Sequence, residues 1–118
     1  MKRFLAIYTG TGTTDKMKQW NAMDEATRKK KENDAMIAWT KWGEKYAKAI
    51  LDDGAPLGKT KKIDMNGITD IRNMMAAYTI VQAESHEEAA KMFLEHPHFS
   101  IFPGDAVEIM ECLPMPQM

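Results

Sequence analysis

The stretch that most constrains this chain is its last third, where Met75 to Ala83 reads as a strand, Ser85 to Glu95 as a capped helix and Ala106 to Cys112 as a second strand. Ala76-Ala-Tyr-Thr-Ile-Val-Gln-Ala83 is rich in β-branched and aromatic residues, which suit a pleated, packed surface. Ser85 and Glu88 form an S-x-x-E capping box, each side chain placed to satisfy a free backbone N–H at the start of the helix. The apolar face of that helix is Ala89, Met92 and Phe93. Pro97 is expected to force an exit, because the residue before a proline avoids helical dihedrals. With a strand at Arg3 to Tyr8 and a helical middle, this order predicts an α+β chain: a ferredoxin-like βαββαβ sheet with an extra hairpin.

The earlier segments fill in that plan. Phe4, Ala6 and Tyr8 alternate with Leu5 and Ile7, so both faces of the first strand are apolar and it should lie mid-sheet. Thr9-Gly-Thr-Gly-Thr-Thr14 then breaks all periodicity, with Thr14 or Asp15 able to cap a short helix through Trp20 and Asp24 able to cap the charged run after it. From about Asp34 to Leu51 the spacing of Met36, Trp39, Gly43, Tyr46 and Ile50 predicts an amphipathic helix lying on a sheet. Gly43 costs that helix about 1 kcal/mol, which predicts close approach of the helix to the sheet or a ligand. Gly54 is expected to stop the helix. Asn66-Gly67 is a strong hairpin signal, flanked by two short strands, and Lys59, Lys61 and Lys62 mark an exposed edge. Leu113 to Met118, with two prolines, suits an extended tail.

Composition limits the partners. The chain has 118 residues, the size of one domain spanning 1–118 and one core. Lys and Arg total 16 against 17 Asp and Glu, so no general field draws in nucleic acid or an anionic membrane. Lys2-Arg3 before Phe4 to Tyr8 imitates a signal peptide, but the apolar run stops after five residues, so the segment reads as a strand. No apolar run approaches the ~20 residues that span a bilayer. The single cysteine, Cys112, excludes an intrachain disulfide and fits a reducing cytoplasm. Both alternating sets of the main strand, Ala76/Tyr78/Ile80 and Ala77/Thr79/Val81, are too apolar to leave one in water, which predicts an obligate homodimer.

The wording of the C-terminal half resembles a family. Ala77-Tyr78-Thr-Ile-Val-Gln-Ala-Glu84, Asp53-Gly-Ala-Pro-Leu-Gly58 and His96-Pro97-His98 are similar to the penultimate strand, the glycine-proline segment and the Cys-Pro-His phrase of the YCII-related (DGPF-like) domain proteins. The resemblance implies a βαββαβ core that pairs into a dimeric α+β barrel. Two departures bear on function. The histidine that the family places soon after its first strand has no counterpart, since His86 is the first histidine of this chain, and the DGPF tetrapeptide is absent.

Candidate chemistry gathers around His98. An imidazole in a loop running to Gly104-Asp105 can act as acid or base near neutral pH, and Asp105 or Glu108 within reach would orient it. Against this stands a capping role for His98 at the helix end. His96-x-His98 with Asp105 offers metal-ligand types, but the intervening proline gives no helical pairing, and no metal is assigned. Trp39, Trp42 and Tyr46 form an aromatic face that Tyr8 and Tyr78 could complete, either as the wall of a small-molecule cleft or as core and dimer seam. Gly10-x-Gly12 lacks the third glycine and the lysine of a phosphate loop. Two functions follow. One is a cofactor-free proton-transfer enzyme (isomerase or lyase type) acting on a small apolar carbonyl compound, with His98 as base, Asp105 as its partner, and Tyr8, Trp39, Trp42 and Tyr78 contacting the ligand. The other is a non-catalytic dimeric binding or interaction module.

Overall fold

A computed structural model describes residues 1–116. The chain runs β1 (Lys2–Thr9), α1 (Asp15–Ala22), α2 (Glu25–Lys45), β2 (Ile50–Asp52), β3 (Thr60–Asp64), β4 (Gly67–Ile71), β5 (Met75–Ala83), α3 (His86–Lys91), α4 (Pro97–Ser100) and β6 (Ala106–Glu111). Four strands form one antiparallel sheet in the order β2-β5-β1-β6, and β3 and β4 form a separate hairpin. Counting only the sheet's own strands, this is the 4-1-3-2 order of a ferredoxin-like βαββαβ unit, with β1 central as its two apolar faces require. The chain is α+β, as the strand and helix order predicts.

Cross-strand register decides the faces. Phe4 lies opposite Val81, Ala6 opposite Thr79 and Tyr8 opposite Ala77, while Ile109 and Val107 pair with Ala6 and Tyr8 from β6. These residues share one face, and there Phe4, Ala6, Tyr8 and Val81 join Ala89, Met92 and Phe93 of the α3 segment in a buried core, backed by Trp39, Trp42 and Tyr46 of α2. The other face presents Leu5, Ile7, Tyr78, Ile80 and Met110. The molecule is only 19 Å deep, which is one sheet and one helix layer.

Several boundaries differ from the sequence expectation, each for a local reason. Asp24 does cap a helix, accepting Thr27 N–H at 3.4 Å, but α2 starts there and runs straight through the charged segment. It ends at Lys45 rather than near Leu51, because Ile50 to Asp52 are drawn off as the edge strand β2 against β5. Gly54 therefore does not stop the helix. It makes a positive-φ corner (φ 73), where a Cβ would overlap the carbonyl of Tyr78. Gly43 has no such neighbour, nothing lying within 4 Å of where its Cβ would be, so the close approach expected of it is absent.

Ser85 caps α3 by accepting Glu88 N–H at 3.1 Å, and Thr14 caps α1 by accepting Met17 N–H at 3.2 Å. The regular helix α3 closes at Lys91, and its last turn reaches Glu95, which takes a positive φ of 57. Pro97 begins a new helix instead of merely ending one. It is the first residue of α4, where its missing N–H costs nothing. The hairpin turn is Met65-Asn66, one residue earlier than Asn66-Gly67 suggests, because Asp64 Oδ1 accepts Asn66 N–H at 2.8 Å and Gly67 (φ 114) follows the turn. Beyond β6 the tail has no regular structure through Pro116, and its last two residues, Gln117 and Met118, lie outside the described residues.

Candidate functional site

The C-terminal end of β1 is where the chain gathers its polar chemistry. Gly10 leaves the sheet with its N–H donated to Met74 O at 2.9 Å. Loop Gly10–Gly12, the root of the β3–β4 hairpin at Lys59 and Arg72, Met75 and the Phe102–Gly104 turn together bound an open cleft of about 1370 Å³, with His98 in its wall.

His98 is held tightly there. Its Nε2 donates to Thr9 O at 2.8 Å, and its backbone N–H is donated to Nδ1 of His96 at 3.0 Å. A carbonyl only accepts, so Nε2 carries the proton and the lone pair sits on Nδ1, which has no hydrogen-bond partner among the described residues. Gly104 packs on the ring so closely that a Cβ would overlap Nε2 and Cε1 and lie 2.5 Å from His98 O. Burial pushes the His98 imidazole below its ordinary pKa. The Thr9 hydrogen bond opposes that shift, the Lys16 ammonium adds to it, and the Asp105 carboxylate works against it. The Lys16 ammonium straps the same loop, donating to Phe99 O and, at 3.2 Å, to Gly104 O.

Asp105 is nearby but does not hydrogen-bond His98. Its Oδ2 accepts Thr11 N–H at 3.1 Å, while its own N–H is donated to Thr9 O. The expected His98–Asp105 pair is thus replaced by a backbone carbonyl for the imidazole and a backbone amide for the carboxylate. Both contacts meet at the end of β1.

The sequence leaves the aromatic residues two readings, cleft wall or core and seam, and they group around the core. Tyr8 is 1% exposed, and its hydroxyl donates to Thr79 Oγ1 at 2.9 Å, since Thr79 in turn donates to Asp53 O. Desolvation raises its phenol to about 12. Trp42 donates Nε1–H to Met92 O at 2.7 Å. Tyr8, Trp39, Trp42 and Phe93 surround a residue set aside in the sequence reading except as a metal ligand, His96, with ring centroids at 5.1, 4.4, 4.7 and 5.8 Å. Tyr78, paired with Ile7, projects from the opposite face of the sheet and joins none of them.

His96 is 1% exposed, and its Nε2 has no hydrogen-bond partner. Burial, helped by repulsion from His98, lowers its pKa to about 3, so it stays neutral. Nδ1 accepts from His98 N–H, while Nε2–H is buried without a hydrogen-bond acceptor. Among the described residues no group of three His, Cys, Asp or Glu is arranged to hold a metal, and no helix is long and apolar enough to cross a membrane. The importance of His96 had one sequence signal, the His-Pro-His spacing. Thr9 and Lys16 had none, because their roles arise where segments 83 to 89 residues apart meet, and Gly104 had none because its packing on His98 depends on how that loop folds back.

No protein-family model matches the chain, and no curated protein is significantly similar to it in sequence. Among solved structures it is similar to 5-chloro-2-hydroxyhydroquinone dehydrochlorinase (TftG) from Burkholderia phenoliruptrix AC1100, determined in complex with 2,5-dihydroxybenzoquinone. The two share 17% identity over 92% of this chain and 90% of that one, with a TM-score of 0.53. TftG has the YCII/DGPF-like α+β barrel fold. At this identity the likeness shows the fold and nothing finer. The YCII wording of the C-terminal half remains a resemblance that a shared fold supports.

Proposed function

We propose that this chain is a small-molecule-binding protein in which His98 serves as a neutral general base for cofactor-free proton transfer, of isomerase or lyase type, on a small, largely apolar carbonyl compound. One observation carries the reading: His98 stands in the wall of the cleft with Nε2–H committed to Thr9 O and Nδ1 free. A backbone carbonyl fixing one tautomer leaves the lone pair on the other nitrogen, and burial favours the unprotonated form. Thr9 O takes the orienting role first assigned to Asp105, which instead braces the Gly10–Gly12 wall through Thr11 N–H. Tyr8 and Trp39 support the imidazole from behind, at 5.3 and 6.4 Å between centroids, rather than contacting a ligand. A dehydrochlorinase acting on a hydroxylated ring, the activity named for the structural neighbour, is compatible with this reaction class.

The test uses two probes. 2,5-Dihydroxybenzoquinone titrated by absorbance should bind and shift the His98 imidazole ¹⁵N signals. Cyclohexanone in deuterium oxide should exchange its α-protons faster with the protein than with buffer, with a rate rising with pH through the lowered pKa of His98. His98→Ala should lower that rate about 10²–10⁴-fold. Absence of binding at millimolar probe with unmoved imidazole signals would defeat the site, and exchange unaffected by His98→Ala would defeat the base.

A second reading, that of a dimeric binding module, is favoured by the uncovered sheet face. Leu5, Ile7, Tyr78, Ile80 and Met110 lie together on it, and the α2 and α3 side chains of the core pack on the other side. Such a patch marks an interface, and a second copy supplies the missing layer. An exposed lone Cys112 fits a cytoplasmic setting for either reading.

A further inference from the structure

The cleft beside His98 carries a charge balance that the chain as a whole does not. Among its lining residues Lys59, Lys61 and Arg72 stand against Asp70 alone, in a chain whose net charge is −1. The β3–β4 hairpin neutralises most of its own charges internally: Lys61 meets Asp70 at 2.7 Å and Lys62 meets Asp64 at 3.5 Å. Lys59 and Arg72 have no such partner among the described residues. They flank the outermost paired rung, Thr60 opposite Ile71, so one stands on each strand at the root of the hairpin. Like charges placed across a strand pair repel, and an anion between them replaces that repulsion with two attractions.

The surrounding loops select the kind of anion. A phosphate is typically held by backbone N–H groups converging from a glycine-rich turn, and the Gly10–Gly12 wall of this cleft has spent the amides it would need. Gly10 donates to Met74 O, Thr11 to Asp105 Oδ2 at 3.1 Å and Thr13 to Thr11 Oγ1. The Asp105 carboxylate behind that wall disfavours a second negative charge, and the Lys16 ammonium is occupied by the carbonyls of Phe99 and Gly104. What remains is a guanidinium fork beside an ammonium, a donor set that fits one planar carboxylate. The rest of the lining includes the apolar side chains of Met17, Leu57, Met75 and Phe102.

We infer that Lys59 and Arg72 form a carboxylate-binding subsite of the His98 cleft, so that the small molecule taken there is a keto acid. Its apolar body carries one carboxylate, held at the hairpin root, while its carbonyl end lies toward His98. The inference rests on the reading of this cleft as a small-molecule site and deepens it by giving the substrate one negative charge. It also gives the hairpin a role. Its strands pair only with each other, and their root brings both cations to the cleft.

The test compares 4-oxocyclohexanecarboxylate with its methyl ester, each titrated against ¹⁵N-labelled protein at low ionic strength. The acid should bind about tenfold or more tighter than the ester, and Lys59→Gln with Arg72→Gln should bring the two Kd values within about twofold. No preference for the acid, whether both probes bind equally or neither binds at millimolar concentration, overturns the proposal. So does a preference that survives the double variant. Inorganic phosphate that displaces the acid at equal concentration overturns the choice of a carboxylate. Because binding rather than turnover is read, the preference should persist in His98→Ala. Failure of cyclohexanone to exchange, with the acid preference intact, removes the base and leaves the subsite; exchange of cyclohexanone with no acid preference removes the subsite and leaves the base.

Discussion

Replacing Gly104 by alanine should dislodge His98 without touching it chemically. The added methyl would overlap Nε2 and Cε1 of the ring and sit 2.5 Å from His98 O, and that carbonyl is itself fixed by Gly104 N–H at 2.9 Å. Neither side yields easily, because the ring is clamped by Thr9 O and the loop by the Lys16 ammonium. Overpacking of this kind costs about 1–3 kcal/mol, and losing the Nε2–H···O bond adds about 1 kcal/mol. The sum is about 2–4 kcal/mol, a large share of the stability of a small domain. Urea unfolding with an unchanged m-value measures it. In a His98→Ala background the ring is gone and only the carbonyl contact remains, so the penalty of Gly104→Ala should fall by about half, a coupling that a double-mutant cycle reads directly. The imidazole ¹⁵N signals of Gly104→Ala should also lose their Nε2–H tautomer bias. A loss under about 0.5 kcal/mol, additive with His98→Ala, would refute the packing argument.

Gly43→Ala should stabilise the protein by about 0.5–1 kcal/mol, since α2 has open space there and glycine lowers helix propensity; a lower urea midpoint would contradict this. His96 is neutral when folded and free to protonate when unfolded. Stability should therefore be complete above its unfolded pKa near 6.5 and fall by up to about 1.4 kcal/mol per pH unit as pH drops toward its folded pKa of about 3. Denaturant midpoints from pH 7 to pH 4 test that slope, and His96→Phe should flatten it. Trp39→Ala removes a ring tilted against Tyr8 and edge-on to His96 and should cost about 2–4 kcal/mol, reduced from full-burial values because Trp39 is only half-buried. Ile80→Asp, on the uncovered sheet face, should shift the mass seen by light scattering from dimer to monomer; a monomeric parent with the fold intact would remove the sheet-face dimer.

Much of this architecture is written locally. Alternation in β1 and β5, the caps at Thr14, Asp24 and Ser85, and the residues around Asn66-Gly67 are short-range patterns, and they produce the observed strands, helix starts and hairpin. What only the tertiary structure decides is long-range. Ile50 and Leu51 continue a helical pattern but are taken into the edge strand β2 against β5. The pairing of His98 with Thr9 O, 89 residues away, rather than with Asp105 seven residues on, depends on where β1 ends against β6. So does the burial of His96 among Tyr8, Trp39 and Trp42. Sequence spacing determines which side chains share a face of one element. The meeting of faces is set by how the sheet and helices close around a single core, and that is where the candidate site is made.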